Sequence, residues 1–393
     1  MNGNEYREIV TGVRRGISAT LWRVLFRIVS LPYGLAVRIR GVLFDCGLKH
    51  TAHLPVPVVS VGNLTLGGTG KTPMVACLVR EYQRRGLPPG ILSRGYKSEN
   101  YRESDGKDVT YHEFGKRNDE AAELAEEFPG IPHYQSPRRY CAGLALLKDR
   151  PETTRIVLDD GFQHRQLARD FNIVLLDAFD PFGRNRLFPS GLLREPNTSL
   201  RRADAVVLTR ADLVSDVWKA EVRGKVRRLA PRAMWSEVAA VPYEFLQYKG
   251  NGNSNTGNGA FVSVPLKEFL EQHGTMGIPR NHVCGSGLDG QDRRDPLFLF
   301  CGIGNPYGFY EMMVRTGLAI AGKISFPDHA ALGSGDLVRL GNSARLAKAV
   351  GFLTTMKDLV KLRCSEIAGI PVWGVKIRLE FLVGGQELAD RLP

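Results

Sequence analysis

The stretch VGNLTLGGTGKTPM (61–74) places Gly67, Gly68, Thr69 and Gly70 directly before Lys71 and Thr72. Glycines allow backbone N–H groups to close around phosphate oxygens, and a helix starting at the lysine adds its positive end. Lys71 would then reach the outer phosphates of a bound nucleotide, and Thr72 would offer a hydroxyl to Mg²⁺. One position departs from the general pattern G-x-x-x-x-G-K-[ST]. Thr65 stands where that pattern has its first glycine. The competing reading is a glycine-rich turn with an incidental lysine.

A phosphate site of this kind needs carboxylates for the metal, and RIVLDD (155–160) supplies Asp159 and Asp160 at the end of an apolar run. One of the two would hold Mg²⁺, directly or through water, although an acidic pair after a strand could also cap a helix. LTRAD (208–212) raises a rival. GTP-binding switch proteins carry an Asn/Thr-Lys-x-Asp stretch after a strand, and Thr209, Arg210 and Asp212 imitate it with arginine in the lysine position. A GTP-dependent switch or metallochaperone-type GTPase is therefore the alternative to a phosphotransferase.

The surrounding elements have the order such a site demands. LPVPVVSVGNL (54–64) is apolar and β-branched, the pattern of a buried strand, and the stretch from Lys71 reads as an amphipathic helix ending at Gly86. FNIVLLDA (171–178) and ADAVVLTRADL (203–213) continue a β-α-β rhythm typical of parallel sheets. LFLFCGIGNPYGFYEMMVRTG (297–317) repeats strand, glycine turn and helix without a lysine, so it is not a second phosphate loop. QYKGNGNSNTGNGAFVSV (247–264) is rich in Gly and Asn and reads as a solvated loop.

With 393 residues, 43% of them hydrophobic, the chain can bury substantial cores in two or three domains. Lys and Arg number 53 against 41 Asp and Glu, a net charge of +12, which favours acidic partners. The basic residues are dispersed apart from an enriched N-terminus, with no aromatic-interleaved tract, so no nucleic-acid partner is expected. The 6 cysteines are far apart and form no C-x-x-C pair, arguing against a metal cage or disulfide framework.

Residues 16–45 are densely apolar but interrupted by Arg23, Arg27, Arg38 and Arg40. Such a segment suits the plane of a membrane interface better than a span across it, and equally suits a helix capping the first domain. Pro32 is expected to break or kink it into two helices.

Several blocks together carry a resemblance: GGTGKTP (67–73), SRGY (93–96), DDGFQHRQLARD (159–170), FPSGLLREP (188–196), GIGNP (302–306), FPDH (326–329) and TMKDLVK (355–361). In order and spacing they resemble the tetraacyldisaccharide 4′-kinase family, the lipid A kinases of Gram-negative bacteria. The resemblance implies an α/β fold: a phosphate-loop NTPase-like parallel-sheet domain, a second, smaller α/β domain, and an N-terminal membrane-interface helix. It runs from about residue 20 to 380, and the expected divisions are 1–45, 46–213 and 214–393, with an insertion near 247–295.

The implied reaction is phosphorylation, by ATP with Mg²⁺, of the 4′-hydroxyl of a tetra-acylated disaccharide 1-phosphate to give lipid IVA. The implied setting is the cytoplasmic face of the inner membrane, and a monomer is expected. The family phosphate loop has the variant form seen here, which makes Thr65 ordinary within it. The family base is the Asp of a GDEP stretch paired with the His of FPDH, which carries over to Asp119 and His329. Asn118 and Ala121 replace the family's glycine and proline around Asp119, and N-capping of a helix is a rival role for this acidic turn. Gln163, His164 and Arg194 fall in matched blocks and are the implied substrate contacts. A clamp on phosphate suits Arg194, and a simple salt bridge would equally explain the Arg194-Glu195 pair. Met356 stands where the family usually has Glu.

Overall fold

The computed structural model describes residues 3–95, 119–249, 260–273, 295–328 and 330–393. The chain divides into two compact units, Met1–Ala240 with Leu379–Pro393, and Val241–Arg378. Residues 214–240 and the C-terminus thus belong with the first unit, whereas the sequence placed a division at 213/214. After β6 the chain makes one more helix and strand in the same rhythm before it leaves.

The first unit opens with α1 (Gly3–Thr11) and α2 (Ile17–Asp45). Pro32 does not divide α2, contrary to expectation: the helix runs unbroken through it for 29 residues. A proline removes one backbone donor, and a long helix held by its neighbours on both sides of that point can absorb the loss. By length and composition α2 could also cross a membrane, which its arginines had argued against. Its packing shows a protein-facing side along its length, with Ala19, Phe26, Gly34 and Phe44 buried.

There follow β1 (Val58–Asn63), α3 (Lys71–Arg84), β2 (Pro89–Ser93), α4 (Asp119–Glu127), β3 (His133–Gln135), α5 (Arg139–Asp149), β4 (Arg155–Asp159), β5 (Phe171–Asp177), β6 (Ala205–Thr209), α6 (Asp216–Leu229) and β7 (Met234–Lys249). The strands pair in parallel in the order β3-β2-β4-β1-β5-β6-β7. Alternation along each strand sends side chains to both faces. Val59, Val61, Ile173 and Leu175 pack against Met74, Val75, Leu78 and Val79 of α3. On the opposite face Val58, Ile156 and Leu158 meet Leu146 of α5, while Val174, Leu176, Val206 and Leu208 meet Val222 and Val226 of α6. Burial on both faces explains why these strands read as continuous apolar runs.

In the second unit β8 (Ala260–Pro265) pairs antiparallel with residues 244–249 of β7 and leads into α7 (Leu266–His273). Next come β9 (Leu297–Cys301), α8 (Pro306–Arg315), β10 (Ile320–Ser325), α9 (Ser334–Leu346), β11 (Gly351–Thr355), α10 (Met356–Leu362), the short β12 (Glu366–Ile367), β13 (Ile370–Val383) and, closing the chain in the first unit, α11 (Gly385–Arg391). Strands β10, β9, β11 and β13 form a parallel set in that order. Asn305 caps α8, its side chain accepting from Gly308 N at 3.1 Å. The glycine turn before it is pinned by Asp358, which accepts from Gly302 N at 2.9 Å. Met356 is buried rather than presented as a polar site would require.

The region 247–295 is less loop-like than its composition suggests. Its Gly/Asn-rich part (250–259) and residues 274–294 lie outside the described residues, but β8 and α7 contribute to the core. Phe269 is fully buried and stacks on Phe245 with ring centroids 4.0 Å apart. Phe269→Ala should therefore destabilise the chain by about 3–5 kcal/mol in urea unfolding, the cost of an emptied aromatic site. A midpoint unchanged from the parent would show that α7 is not part of the core.

Candidate active site

The phosphate loop is built where β1 stops and α3 starts. Gly70 caps α3 in the left-handed region at φ 85°, and Gly67 has φ 119°, backbone that side-chain-bearing residues resist. A Cβ on Gly67 would also meet the guanidinium of Arg7 from α1. Asn63, buried at the end of β1, donates through Nδ2 to Thr65 O at 2.8 Å and to Thr69 Oγ1 at 2.9 Å, fixing both ends of the turn.

Thr65 now has a physical reason. It lies in an antiparallel bridge with Leu193, flanked by Leu66 N donating to Leu192 O and Arg194 N donating to Leu64 O, both at 2.7 Å. Its φ is not positive, so no glycine is needed there, and its side chain is buried against neighbours that include Gly183. At this position the segment 192–194 holds the chain in an isolated antiparallel bridge, where the motif's glycine has no role.

The acidic turn after β4 faces the loop. Asp160 adopts φ 49°, and Gly161 N bonds to Val61 O at 3.0 Å. Gly62 allows the close approach, since a Cβ there would lie 2.5 Å from Phe162 Cβ. Lys71 Nζ stands 3.6 Å from Asp160, and Arg194 Nη1 donates to both Asp160 oxygens at 2.9 Å. Burial alone would raise the Asp160 carboxyl, but Lys71 and Arg194 outweigh it and hold its pKa at about 2. Asp159 goes the other way. It is buried beside the Glu120 charge from α4, and both effects raise it. Asp159 Oδ1 has no hydrogen-bond partner, an orphaned buried acceptor that a cation or its water would satisfy.

Arg194 thus pairs with Asp160, while its neighbour Glu195 pairs with Arg202; the two residues do not bridge each other. Gln163 Nε2 donates to Asn63 O at 2.8 Å, and Gln163 Oε1 lies 3.5 Å from Arg194. His164 lies among arginines. Arg139 Nη1 is 3.4 Å from its Nδ1, so Nδ1 is the acceptor and Nε2 carries the proton. Burial, reinforced by Arg139 and Arg169, drives the His164 pKa down to about 4. Lys71, Asp159, Asp160, Gln163, His164 and Arg194 are therefore all gathered at this end of the sheet. Asp119 opens α4, but its side chain, like His329, lies outside the described residues. Among the described residues no three His, Cys, Asp or Glu side chains form a metal cluster; Mg²⁺ on nucleotide phosphates commonly takes one or two protein carboxylates and waters.

Four contributors escaped the sequence reading. Arg7, Asn63 and Arg139 sit in unremarkable helix and strand contexts, so only the fold brings them to the loop. Glu120 stands next to the candidate base and was passed over for it. Arg210, proposed in the rival reading as part of a guanine motif, instead pairs with Asp177 at 2.7 Å and donates to Gly68 O at 2.9 Å. It braces the phosphate loop.

The chain from residue 22 to 392 matches the family model described as tetraacyldisaccharide-1-P 4′-kinase. The chain belongs to this family. A tetraacyldisaccharide 4′-kinase of Geobacter sulfurreducens is 34% identical over 378 residues, covering 95% of this chain and 94% of that protein. One from Desulfatibacillum aliphaticivorans is likewise 34% identical, with 95% and 94% covered. The crystal structure of LpxK from Aquifex aeolicus in complex with ATP aligns with a TM-score of 0.63 at 27% identity, covering 94% of this chain and 98% of that one. Membership of the tetraacyldisaccharide 4′-kinase family supports the kinase reading over the GTP-dependent switch.

The low pKa of His164 has a signed consequence. An unfolded histidine titrates near 6.5, so the unfolded chain binds this proton more tightly than the folded one. The associated stability is complete above pH 6.5 and is lost as the pH falls through 4. Asp159 opposes this, its raised carboxyl favouring the folded state at lower pH, so comparison with a variant isolates the histidine. In urea unfolding, His164→Gln should lose less stability between pH 7 and 4 than the parent chain. Parallel pH profiles would contradict the neutral, buried His164.

Proposed function

We propose that this protein transfers the γ-phosphoryl group of ATP to the 4′-hydroxyl of a tetraacyldisaccharide 1-phosphate, giving lipid IVA. The observation that carries the reading is the joint placement of Lys71, Arg194 and the Asp159–Asp160 turn around the phosphate loop, in a chain of this kinase family. Phosphoryl transfer asks for alignment and charge neutralisation more than for covalent chemistry.

Backbone N–H groups of Gly67–Thr72 would cradle the β- and γ-phosphates. Lys71, released from Asp160 by competition with the phosphates, would follow the charge as it moves onto the leaving group. Asp160 and Arg194 would keep their pair, setting the guanidinium where the transferred group passes. Asp119 is assigned as the base that takes the 4′-hydroxyl proton, with His329 orienting it. Gln163 and His164 line the sugar side, where a neutral His164 can donate from Nε2. Thr72 and Asp159 are the residues suited to Mg²⁺, and the orphaned Asp159 oxygen is what makes the fit. That ion, bound with ATP, would neutralise phosphate charge.

The substrate is a lipid, and α2 has the surface to meet a membrane. Leu21, Val24, Ile28, Leu31, Leu35 and Ile39 are exposed on it. A helix buried on one side against its own domain and apolar on the other fits a peripheral enzyme at the inner membrane's cytoplasmic face. We assign the chain as a monomer.

In detergent with ATP, Mg²⁺ and the disaccharide 1-phosphate, Lys71→Ala and Asp119→Ala should each lower kcat by 10²-fold or more, on the order of removing one transition-state charge or a general base. Unchanged turnover in both would refute the site. Removal of residues 1–45 should release the protein from anionic vesicles; equal partitioning of the two forms would exclude the interface helix.

A further inference from the structure

A second basic site lies in the first unit, where α2 meets the segment 195–202. A cavity of about 280 Å³ opens there, walled by five arginines, Arg38, Arg40, Arg165, Arg201 and Arg202, against two carboxylates, Asp45 and Glu195. Both carboxylates are already engaged. Asp45 accepts from Arg165 and Arg201, each at 2.7 Å, and Glu195 accepts from Arg202. Arg38 has no ion pair among the described residues, and Arg201 is two-thirds exposed despite its contact (65%). The cavity therefore keeps an excess of positive charge with donors to spare. Its rim adds the hydroxyl-bearing Thr198 and Ser199.

The same helix brings apolar surface to the cavity mouth. Ile28, Leu35, Ile39 and Val42 follow at spacings that keep them on one side of a helix, each at least half exposed. Val42 belongs to both features, closing the stripe and lining the cavity. An apolar strip that ends in an arginine-lined pocket matches a molecule with hydrocarbon chains and a phosphate head. Arginine forks suit phosphate oxygens in particular.

We propose that this cavity binds the headgroup phosphate of an anionic phospholipid whose acyl chains lie along the Ile28–Val42 stripe. The inference rests on the membrane reading only in placing α2 at a lipid surface. It makes α2 more than a greasy anchor: the helix selects acidic lipid and so fixes the protein's rotation at the surface. Arg38 and Arg201 are outside the phosphate-loop site, and Arg165 still pairs with Asp45 when Arg201 is removed.

The test uses the full chain and its Arg38→Gln/Arg201→Gln variant, with unchanged urea midpoints as the folding check and the two single variants in reserve. The first probe is dihexanoyl phosphatidylglycerol below its micelle concentration, followed by calorimetry. The second is partition onto phosphatidylcholine vesicles with and without phosphatidylglycerol. Binding of the short-chain lipid and partition onto the acidic vesicles should each weaken by about fivefold per arginine, with partition onto phosphatidylcholine unchanged. The KM for disaccharide 1-phosphate in neutral detergent should also stay unchanged. Equal short-chain binding by parent and variant, or none by the parent, would overturn the proposal. A raised KM with unchanged phosphatidylglycerol binding would also overturn it, assigning the cavity to the substrate's own phosphate. If the short-chain lipid binds as expected but vesicles do not bind even the parent, the cavity stands and the membrane reading fails.

Discussion

Two backbone hydrogen bonds, Leu66 N to Leu192 O and Arg194 N to Leu64 O, weld the phosphate loop to the segment 188–194. Much of the site follows from that weld. It sets Thr65 in extended backbone, brings the Arg194 guanidinium over Asp160, and leaves Asp160 facing Lys71. The segment is in turn held from the N-terminal side. Tyr6 of α1 donates to Gly191 O at 2.8 Å, and Tyr33 of α2 donates to Arg194 O at 2.8 Å. A short chain of contacts therefore runs from the helix with the exposed apolar surface to the lysine of the phosphate loop. The N-terminal helices are part of the site's scaffold.

The two adjacent aspartates show how one turn yields two different groups. Asp160 points to Lys71 and Arg194, which keep it ionised at any physiological pH. Asp159 is fully buried near Glu120, and it retains an oxygen without a partner. Burying charge without compensation is costly, so such an arrangement favours arrival of a cation with the nucleotide. Burial, reinforced by Arg139 and Arg169, keeps His164 neutral beside them. The site is thus prepared for a highly charged anion before one binds.

Much of this was legible in the residues. Gly67–Thr72 announced the loop because glycine, lysine and threonine at that spacing have few other uses after a buried strand. The parallel sheet was legible because strands covered on both faces are apolar throughout, as in β5 and β6. What escaped depended on contacts distant in sequence. The physical reason for Thr65, ordinary within the family but outside the general motif, was hidden because its partner, Leu193, is over a hundred residues away. Arg210 fitted the lysine position of a guanine motif because its commitment to Asp177 and Gly68 is invisible in a local motif. Pro32 looked like a break because local propensity takes no account of a helix packed along its length. Phe269 was hidden by the Gly/Asn-rich composition just before it, although the stretch from Leu266 to His273 has a helical pattern.

The weld between Thr65 and Leu193 is the claim most directly open to measurement, through MgATP affinity and urea stability of Thr65→Gly. Restoring the glycine of the general motif should weaken the loop, since glycine in extended backbone loosens it by roughly 0.5–1 kcal/mol. The account predicts a lower urea midpoint and MgATP binding weakened by a few fold. A Thr65→Gly chain of unchanged stability that binds MgATP as tightly as the parent, or more tightly, would contradict it.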